Sequence, residues 1–117
     1  MRPKAAAVAV DCTDLDVMVG FWGALLDMEV TYRDETWLEL EPLGEGGPVL
    51  SFQLVPEAKA GKNRVHLDLA VPDIREAGER ARALGAVPHG EPMGSDPERP
   101  FQVWLDPQGN EFCFTTA

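Results

Sequence analysis

The sequence predicts an α+β fold built from two copies of a β-α-β-β-β module. Three observations predict it: a repeat at half the chain length, one amphipathic helix in each half, and short alternating strands separated by turns. The repeat relates VAVDCTDL, which begins at Val8, to LDLAVPDI, which begins at Leu67. In each copy a strand leads into an Asp that begins a helix. Because 117 residues are too few for two conventional domains, we expect a single domain over 1–117, with repeats at about 5–58 and 63–117.

The first module begins with this strand and continues into a helix predicted over 14–27. Thr13 or Asp14 can cap its first turn, since side-chain oxygens of these types accept from the free amides there. Apolar side chains recur at helical spacing and predict one buried face, made of Met18, Phe21, Trp22, Leu25 and Leu26. Three extended segments follow, at 29–33, 36–41 and 49–55, and the glycine-rich stretch 44–48 must break one pair of them.

The second module repeats this order. Asp73 is the predicted cap of its helix, and Gly85 is the predicted stop. The predicted apolar stripe of this helix consists of Ile74, Ala77, Ala81 and Leu84. Strands are expected around Val87, at 101–106 and at 111–115, with a tight hairpin turn over 106–110 in which Pro107 and Gly109 supply the required backbone angles. The stretches 56–63 and 89–100 are predicted loops, and the second of them is long enough to be either a pocket lid or a mobile connection.

Charge and composition exclude some classes of function. The chain has 10 Lys and Arg against 20 Asp and Glu, a formal net charge of −10, which repels phosphate backbones and argues against nucleic-acid binding. An acidic surface suits a cationic small molecule, although it also serves plain solubility. No apolar run is long enough for a membrane span, and Asp11 and Asp14 interrupt the N-terminal apolar stretch, so a cytoplasmic protein is the expectation. In that compartment Cys12 and Cys113 are predicted to be buried thiols outside any disulfide.

The order of these features resembles the vicinal oxygen chelate superfamily, which includes glyoxalase I, extradiol dioxygenases, fosfomycin-resistance enzymes and bleomycin-binding proteins. The resemblance depends on the aromatic pair Phe21-Trp22, on His66 at the head of the second repeat, and on the turn 106–110 before the last strand. Segments 62–69 and 109–113 resemble a glyoxalase-like branch, and the likeness covers nearly the whole chain. It implies two modules whose curved sheets form an open barrel, with helices outside and the ligand inside. The family commonly pairs its modules within or between chains, and a homodimer is the expectation for this protein.

Strand alternation then predicts which side chains face the barrel cavity, because residues two apart share a side. Val65, Leu67 and Leu69 are expected to pack under the second helix, as are Phe112 and Phe114; Leu50, Phe52 and Leu54 are expected to pack in the first module. The predicted cavity-facing set is Ala7, Ala9, Asp11, Ser51, Gln53, Arg64, His66, Asp68, Glu111, Cys113 and Thr115, with Trp37, Glu39 and Trp104 completing the wall.

The resemblance also assigns four metal-ligand positions, which correspond to Ala7, Gln53, His66 and Cys113. Ala7 has no donor atom, Gln53 is a weak neutral donor, and Cys113 replaces the carboxylate that Mg²⁺, Mn²⁺ or Fe²⁺ would favour. Because only His66 is retained, we predict no metal and no other cofactor. The alternative is zinc held by His66 and Cys113 with Asp68 or Glu111 as a third ligand.

The function predicted from this pattern is binding or sequestration of a small organic ligand, aromatic or cationic, at a degenerate metal site. The predicted ligand-binding residues are Asp11, Trp37, Gln53, Asp68, Trp104 and Cys113. The alternative is an enzyme (a lyase, isomerase or dioxygenase) with His66 as base or metal ligand and Glu111 as the second candidate catalytic residue. His66 and Asp68 could equally form a structural hydrogen-bonded pair, and a module that mainly forms dimers is a third possibility.

Overall fold

The computed structural model describes all residues, 1–117, and the chain divides into two compact units, Met1–Lys59 and Ala60–Ala117. Each unit contains one four-stranded sheet and one helical segment between its first and second strands. The predicted pair of β-α-β-β-β modules is therefore confirmed. The joining of the two sheets as an open barrel, and the single domain over 1–117, stay predictions.

The sheet of the first unit consists of β1 (Ala7–Cys12), β2 (Val30–Arg33), β3 (Trp37–Pro42) and β4 (Val49–Leu54), in the order β1-β4-β3-β2. β1 runs parallel to β4, and the other two pairs are antiparallel. Alternate side chains of the two central strands are completely buried on the core face of the sheet, namely Leu38, Leu40, Leu50 and Phe52, and Ser51 on the other face of β4 is completely buried as well.

The first helical segment begins at Leu15–Met18, widens into a π-helix over Val19–Gly23, and returns to α-helix over Ala24–Leu26. Asp14 caps it by accepting a hydrogen bond from the amide of Val17 at 3.1 Å. The π-turn was not predicted, since the spacing of apolar residues alone does not distinguish it from an α-turn. A wider turn reduces the angle between successive side chains, which accounts for the burial of both adjacent rings of Phe21 and Trp22.

The second unit repeats this arrangement with β5 (Leu67–Val71), β6 (Val87–Pro88), β7 (Phe101–Leu105) and β8 (Glu111–Thr116), in the order β5-β8-β7-β6. Its helix spans Ile74–Ala83, begins at the cap Asp73, which accepts from two backbone amides, and is followed by Gly85 at φ 112°. Both predicted helix signals are confirmed, because capping and positive φ depend on local chemistry. The buried side chains of β7 and β8 are Trp104, Phe112, Cys113 and Phe114.

Two predicted orientations are wrong. Val65 does not pack under the helix, because β5 begins only at Leu67 and Val65 is 76% exposed in the bend before it. The physical reason is Asn63, whose side chain accepts from the amide of Glu111 and so occupies the edge of β8 along which β5 would extend. Leu54, the last residue of β4, is also exposed.

Both cysteines are buried, and neither is in a disulfide bond. None of the helices has the length and apolar character that crossing a membrane would require.

Candidate functional site

The second unit contains an inner pocket of about 300 Å³ on the face of its sheet that points away from the helix-covered core. The size is at the lower end of the range usual for small-molecule sites. Its lining residues come from three strands and from the segment before β5; they are Lys62, His66, Asp68, Phe101, Val103, Glu111, Phe112, Cys113 and Thr115.

Strand register explains why these side chains meet. Asp68 pairs with Cys113 across β5 and β8, and Cys113 pairs with Val103 across β8 and β7. Paired residues of neighbouring strands point to the same face of a sheet, so these three form one row. Phe101 and Thr115 are paired in the next row, which adds an aromatic and a hydroxyl-bearing side chain.

His66 and Asp68 form the most polar part of the inner pocket. Nδ1 of His66 lies 3.0 Å from Oδ1 of Asp68, and each side chain is about half exposed. A neutral His66 in this contact carries its proton on Nδ1, since only that tautomer donates to the carboxylate. Nε2 is then left as an acceptor, so the pair can take a proton or accept a hydrogen bond from a ligand.

Cys113 forms the floor of the row and is only 6% exposed. Burial raises the pKa of its thiol above the ordinary value, and the negative charge of Asp68 raises the pKa further. Its Sγ donates a weak hydrogen bond to the carbonyl of Phe114 at 3.6 Å, and a backbone hydrogen bond at Gln102 offsets part of the rise in pKa. At neutral pH the side chain is therefore a neutral thiol, which behaves as a small apolar group.

Glu111 is held from outside the strand by Asn63. The amide of Asn63 donates to Oε2 of Glu111 at 2.9 Å, and the Asn63 side chain both accepts from the Glu111 amide and donates to the Glu111 carbonyl. The Glu111 carboxylate thus lines the pocket while it also anchors the chain before β5. Its predicted role as a catalytic residue stays a prediction.

The residues present do not fit a divalent metal ion. Ala7 has no donor atom, and burial, which raises the pKa of the Cys113 thiol, makes that side chain a poorer ligand. Nowhere in 1–117 are three or more His, Cys, Asp or Glu side chains grouped so that they could hold a metal ion. A function at this site therefore depends on the side chains of this chain.

Three predicted ligand-binding residues lie in the first unit and share one row of its sheet. Asp11 pairs with Gln53 across β1 and β4, and Gln53 pairs with Trp37 across β4 and β3. The indole Nε1 of Trp37 donates to Oε2 of Glu39 at 2.9 Å. Alternation along the strands was enough to group them, and their role in ligand binding stays a prediction.

The predicted position of Trp104 in the cavity wall is wrong. The side chain is 3% exposed and packs under the second helix, where Gly78 leaves room for the indole and the guanidinium of Arg82 lies 5.5 Å from the ring centre. Trp104 pairs with Phe112, a core residue, so the adjacent Val103 faces the pocket instead. A signal was present in the sequence: a glycine within the apolar face of a helix marks the close approach of a large group.

An outer recess of about 480 Å³ adjoins the inner pocket. The two share Lys62, Val103 and Glu111, and the outer recess adds Gly61, His89 and Met93. His89 and Met93 belong to the loop 89–100, for which a lid and a mobile connection were both open. Met93 and Phe101 exchange two backbone hydrogen bonds of 2.8 and 2.9 Å, which hold this part of the loop against β7, and the lid stays a prediction.

The chain is similar to one family of known proteins. The model of a family described as a glyoxalase-like domain matches residues 7–115. No curated protein sequence matches the chain.

Solved structures with the same fold include a glyoxalase/bleomycin resistance protein/dioxygenase family enzyme from Burkholderia phytofirmans, with a TM-score of 0.80 and 18% identity over 97% of this chain and 98% of that one. Fosfomycin resistance proteins from Mesorhizobium loti and Listeria monocytogenes have TM-scores of 0.77 and 0.79 and identities of 17% and 15%, over 100% of this chain and 94% and 95% of theirs. At such identities the structures establish the fold alone. The family model over residues 7–115, together with this shared fold, confirms the superfamily predicted from the sequence.

Proposed function

The chain belongs to the glyoxalase-like domain family, and on that premise we propose that its second unit binds a small organic molecule, with an aromatic or otherwise apolar body, without a metal ion. The observation that carries this proposal is the inner pocket, a preformed cavity of about 300 Å³ with apolar walls and a few convergent polar groups. Pockets of this composition bind ligands by burying apolar area and use the polar groups for orientation.

The contacts in the inner pocket favour the aromatic ligand class over the cationic one. Phe101 and Val103 offer apolar surface, and the neutral thiol of Cys113 adds to it. A cation would be repelled by Lys62 in the same lining, and one oxygen of each carboxylate already has a contact, Asp68 with His66 and Glu111 with the Asn63 amide. Nε2 of His66 is available to orient a polar group of the ligand.

Thermal-shift screening tests this function. A ligand at about a hundredfold excess over its Kd adds about 2.7 kcal/mol of stability, which raises the Tm of a domain this size by several degrees. We expect aromatic small molecules to do so, and we expect divalent ions alone not to. The proposal fails if a divalent ion raises Tm by several degrees and no aromatic compound does.

A matched pair of variants locates the binding. Val103→Phe places a larger side chain in the inner pocket and should abolish the shift caused by each hit compound. Val17→Phe makes the same change at an exposed position of the first helical segment, in the other unit, and should leave the shift unaltered. Equal loss in both variants would contradict binding at the inner pocket.

A second candidate function is a metal-independent isomerase in which His66 is the base. The observation that favours it is the 3.0 Å contact between His66 and Asp68, which orients the ring and leaves Nε2 to take a proton. Deuterium wash-in from solvent, next to the carbonyl of compounds that bind, is the appropriate assay. His66→Ala should abolish it, and Asp68→Asn should slow it and change its pH profile; unchanged wash-in in His66→Ala would place the chemistry elsewhere.

Metal content separates these two functions from a metal-assisted lyase or dioxygenase. The chain should be purified without a His-tag, which can itself carry metal, and analysed for transition metals. We expect a metal content far below one ion per chain, and a stoichiometric ion would overturn both metal-independent proposals.

We also propose that the protein forms a homodimer. The sheet of the first unit ends in β2, an edge strand whose unpaired backbone groups and exposed Val30 and Tyr32 are suited to covering by another chain. Size-exclusion chromatography with light scattering should give twice the monomer mass of 12.8 kDa. A monomer at all concentrations would refute the dimer.

A further inference from the structure

The outer recess differs from the inner pocket in the chemistry of its open groups. Its walls carry the ammonium of Lys62 and the imidazole of His89, together with the thioether of Met93. Lys62 and Glu111 line both cavities, so a molecule in the inner pocket can extend past them without crossing the chain.

Two side chains that line the cavities, Lys62 and His89, have no hydrogen-bond partners, whereas the two carboxylates there do. Glu111 accepts the amide of Asn63 at 2.9 Å, and Asp68 lies 3.0 Å from His66. By contrast, Lys62 makes no hydrogen bond and has no acidic partner within 4.0 Å, and the ring of His89 makes no hydrogen bond.

The wall that presents His89 is held in place before any ligand binds. The amide of His89 donates to the carbonyl of Val103 at 2.9 Å, and the side-chain amide of Gln102 donates to the carbonyl of Gly90 at 2.9 Å. Met93 is fixed by its paired hydrogen bonds to Phe101. Binding here therefore requires little ordering of the loop, which favours affinity.

We propose that the outer recess is an oxyanion subsite, in which Lys62 and His89 bind a carboxylate or similar group of the ligand whose apolar body occupies the inner pocket. This inference rests on the proposed function of the inner pocket, and it names the ligand class: an amphipathic organic acid. An oxyanion supplies the acceptors that the open donors lack, and Lys62 at the junction can reach a group on either side.

Three probes that share one ring system and differ in charge test the subsite: naphthylacetate, naphthylacetamide and naphthylethylamine, titrated by calorimetry into the full chain. At low ionic strength we expect the acetate to bind about fivefold more tightly than the amide, the effect of one partly exposed ion pair. Added salt should reduce this preference, since exposed charges are screened.

Variants then assign the preference to named residues. Lys62→Gln should make acetate and amide bind equally, and Lys62→Arg should retain most of the preference. Lys4→Gln removes the same charge at an exposed position of the first unit and should change nothing. His89→Gln should give an intermediate preference; a full preference in this variant would remove His89 from the subsite.

Different outcomes contradict the oxyanion subsite and the proposed function of the inner pocket. If the amide or the amine binds as tightly as the acetate, or if Lys4→Gln loses the preference as Lys62→Gln does, the oxyanion subsite is refuted and the aromatic pocket stands. If none of the probes binds and no other aromatic compound raises Tm, the proposed function fails and the subsite fails with it.

Discussion

Gly78 lies in the middle of the second helix, directly above the buried indole of Trp104. A Cβ built at Gly78 would stand 2.6 Å from Cζ2 of Trp104 and 3.3 Å from the neighbouring ring carbon. Real carbon contacts begin near 3.5 Å, so Gly78→Ala forces the helix and the ring apart by most of an ångström. The ring has little freedom to move, because it is buried against Phe114 and beneath Arg82.

Two opposing effects decide the sign of this substitution. Alanine is favoured over glycine in a helix interior by about 1 kcal/mol. Overpacking a well-packed core costs about 1–3 kcal/mol, and a contact this short with a rigid ring belongs at the upper end. We therefore expect Gly78→Ala to lower the free energy of unfolding by about 1–2 kcal/mol, although helix propensity alone predicts a gain.

Urea denaturation followed by circular dichroism measures this change from the midpoint at constant slope. Gly20→Ala is the matched control, because Gly20 lies in the first helical segment and a Cβ there meets nothing within 4 Å. The control should be neutral or stabilising. Adding Trp104→Phe to Gly78→Ala should recover part of the loss, since the substitution removes the clashing part of the indole. A Gly78→Ala protein as stable as the original would refute the reasoning.

Three further predictions concern single groups. Asp106→Ala should lower the free energy of unfolding by about 2 kcal/mol, since its buried carboxylate accepts from two backbone amides of the turn that would be left unsatisfied. Urea denaturation measures the change. Asp96→Ala is the control and should cost less, because the Asp96 carboxylate lies in an exposed turn and accepts from the amide of Glu98. Asp73→Ala should cost about 1 kcal/mol by the same measurement, as the loss of a helix cap does, and no change would contradict the capping role. The alkylation rate of Cys113, followed by mass spectrometry of its peptide, should reach half its maximum at a higher pH than the alkylation rate of an ordinary thiol, because the pKa of Cys113 is raised. Asp68→Asn should lower this midpoint pH. An unshifted midpoint in that variant would mean that Asp68 does not act on the thiol. Since the raised pKa favours the neutral thiol in the folded state, Cys113 should also reduce stability as the pH rises from the unfolded thiol's pKa to its own.

Local features of the fold could be predicted from the sequence because they depend on neighbouring residues. Asp14 and Asp73 each precede an apolar helical stripe, and each accepts a hydrogen bond from an amide in the first turn. The turn at 106–110 formed as predicted, because Asp106 and Gly109 satisfy it without help from distant parts of the chain.

The candidate site was predictable only in part. Alternation along β5 and β8 correctly placed Asp68, Glu111 and Cys113 around one cavity. Lys62, His89 and Met93 were missed, because no periodicity marks residues before a strand or within a loop, and Val103 was missed because its neighbour Trp104 was placed in the cavity wall. Trp104 was placed on the wrong face because the start of alternation in β7 depends on its pairing with β8, which the sequence of β7 does not contain.

The sequence by itself determined that there are two β-α-β-β-β modules, where each helix begins, and that Ala7 and Cys113 depart from a metal-binding pattern. The first two follow from repeat spacing and capping chemistry, and the third follows from the ligand positions that the family resemblance implies. Only the tertiary structure decided that His66 contacts Asp68, that the pKa of Cys113 is raised by burial, and that Lys62 stands without an acidic partner where two cavities meet. Each of these properties depends on which distant segments of the chain fold against a residue. The pairing of β5, β8 and β7 determines which segments those are.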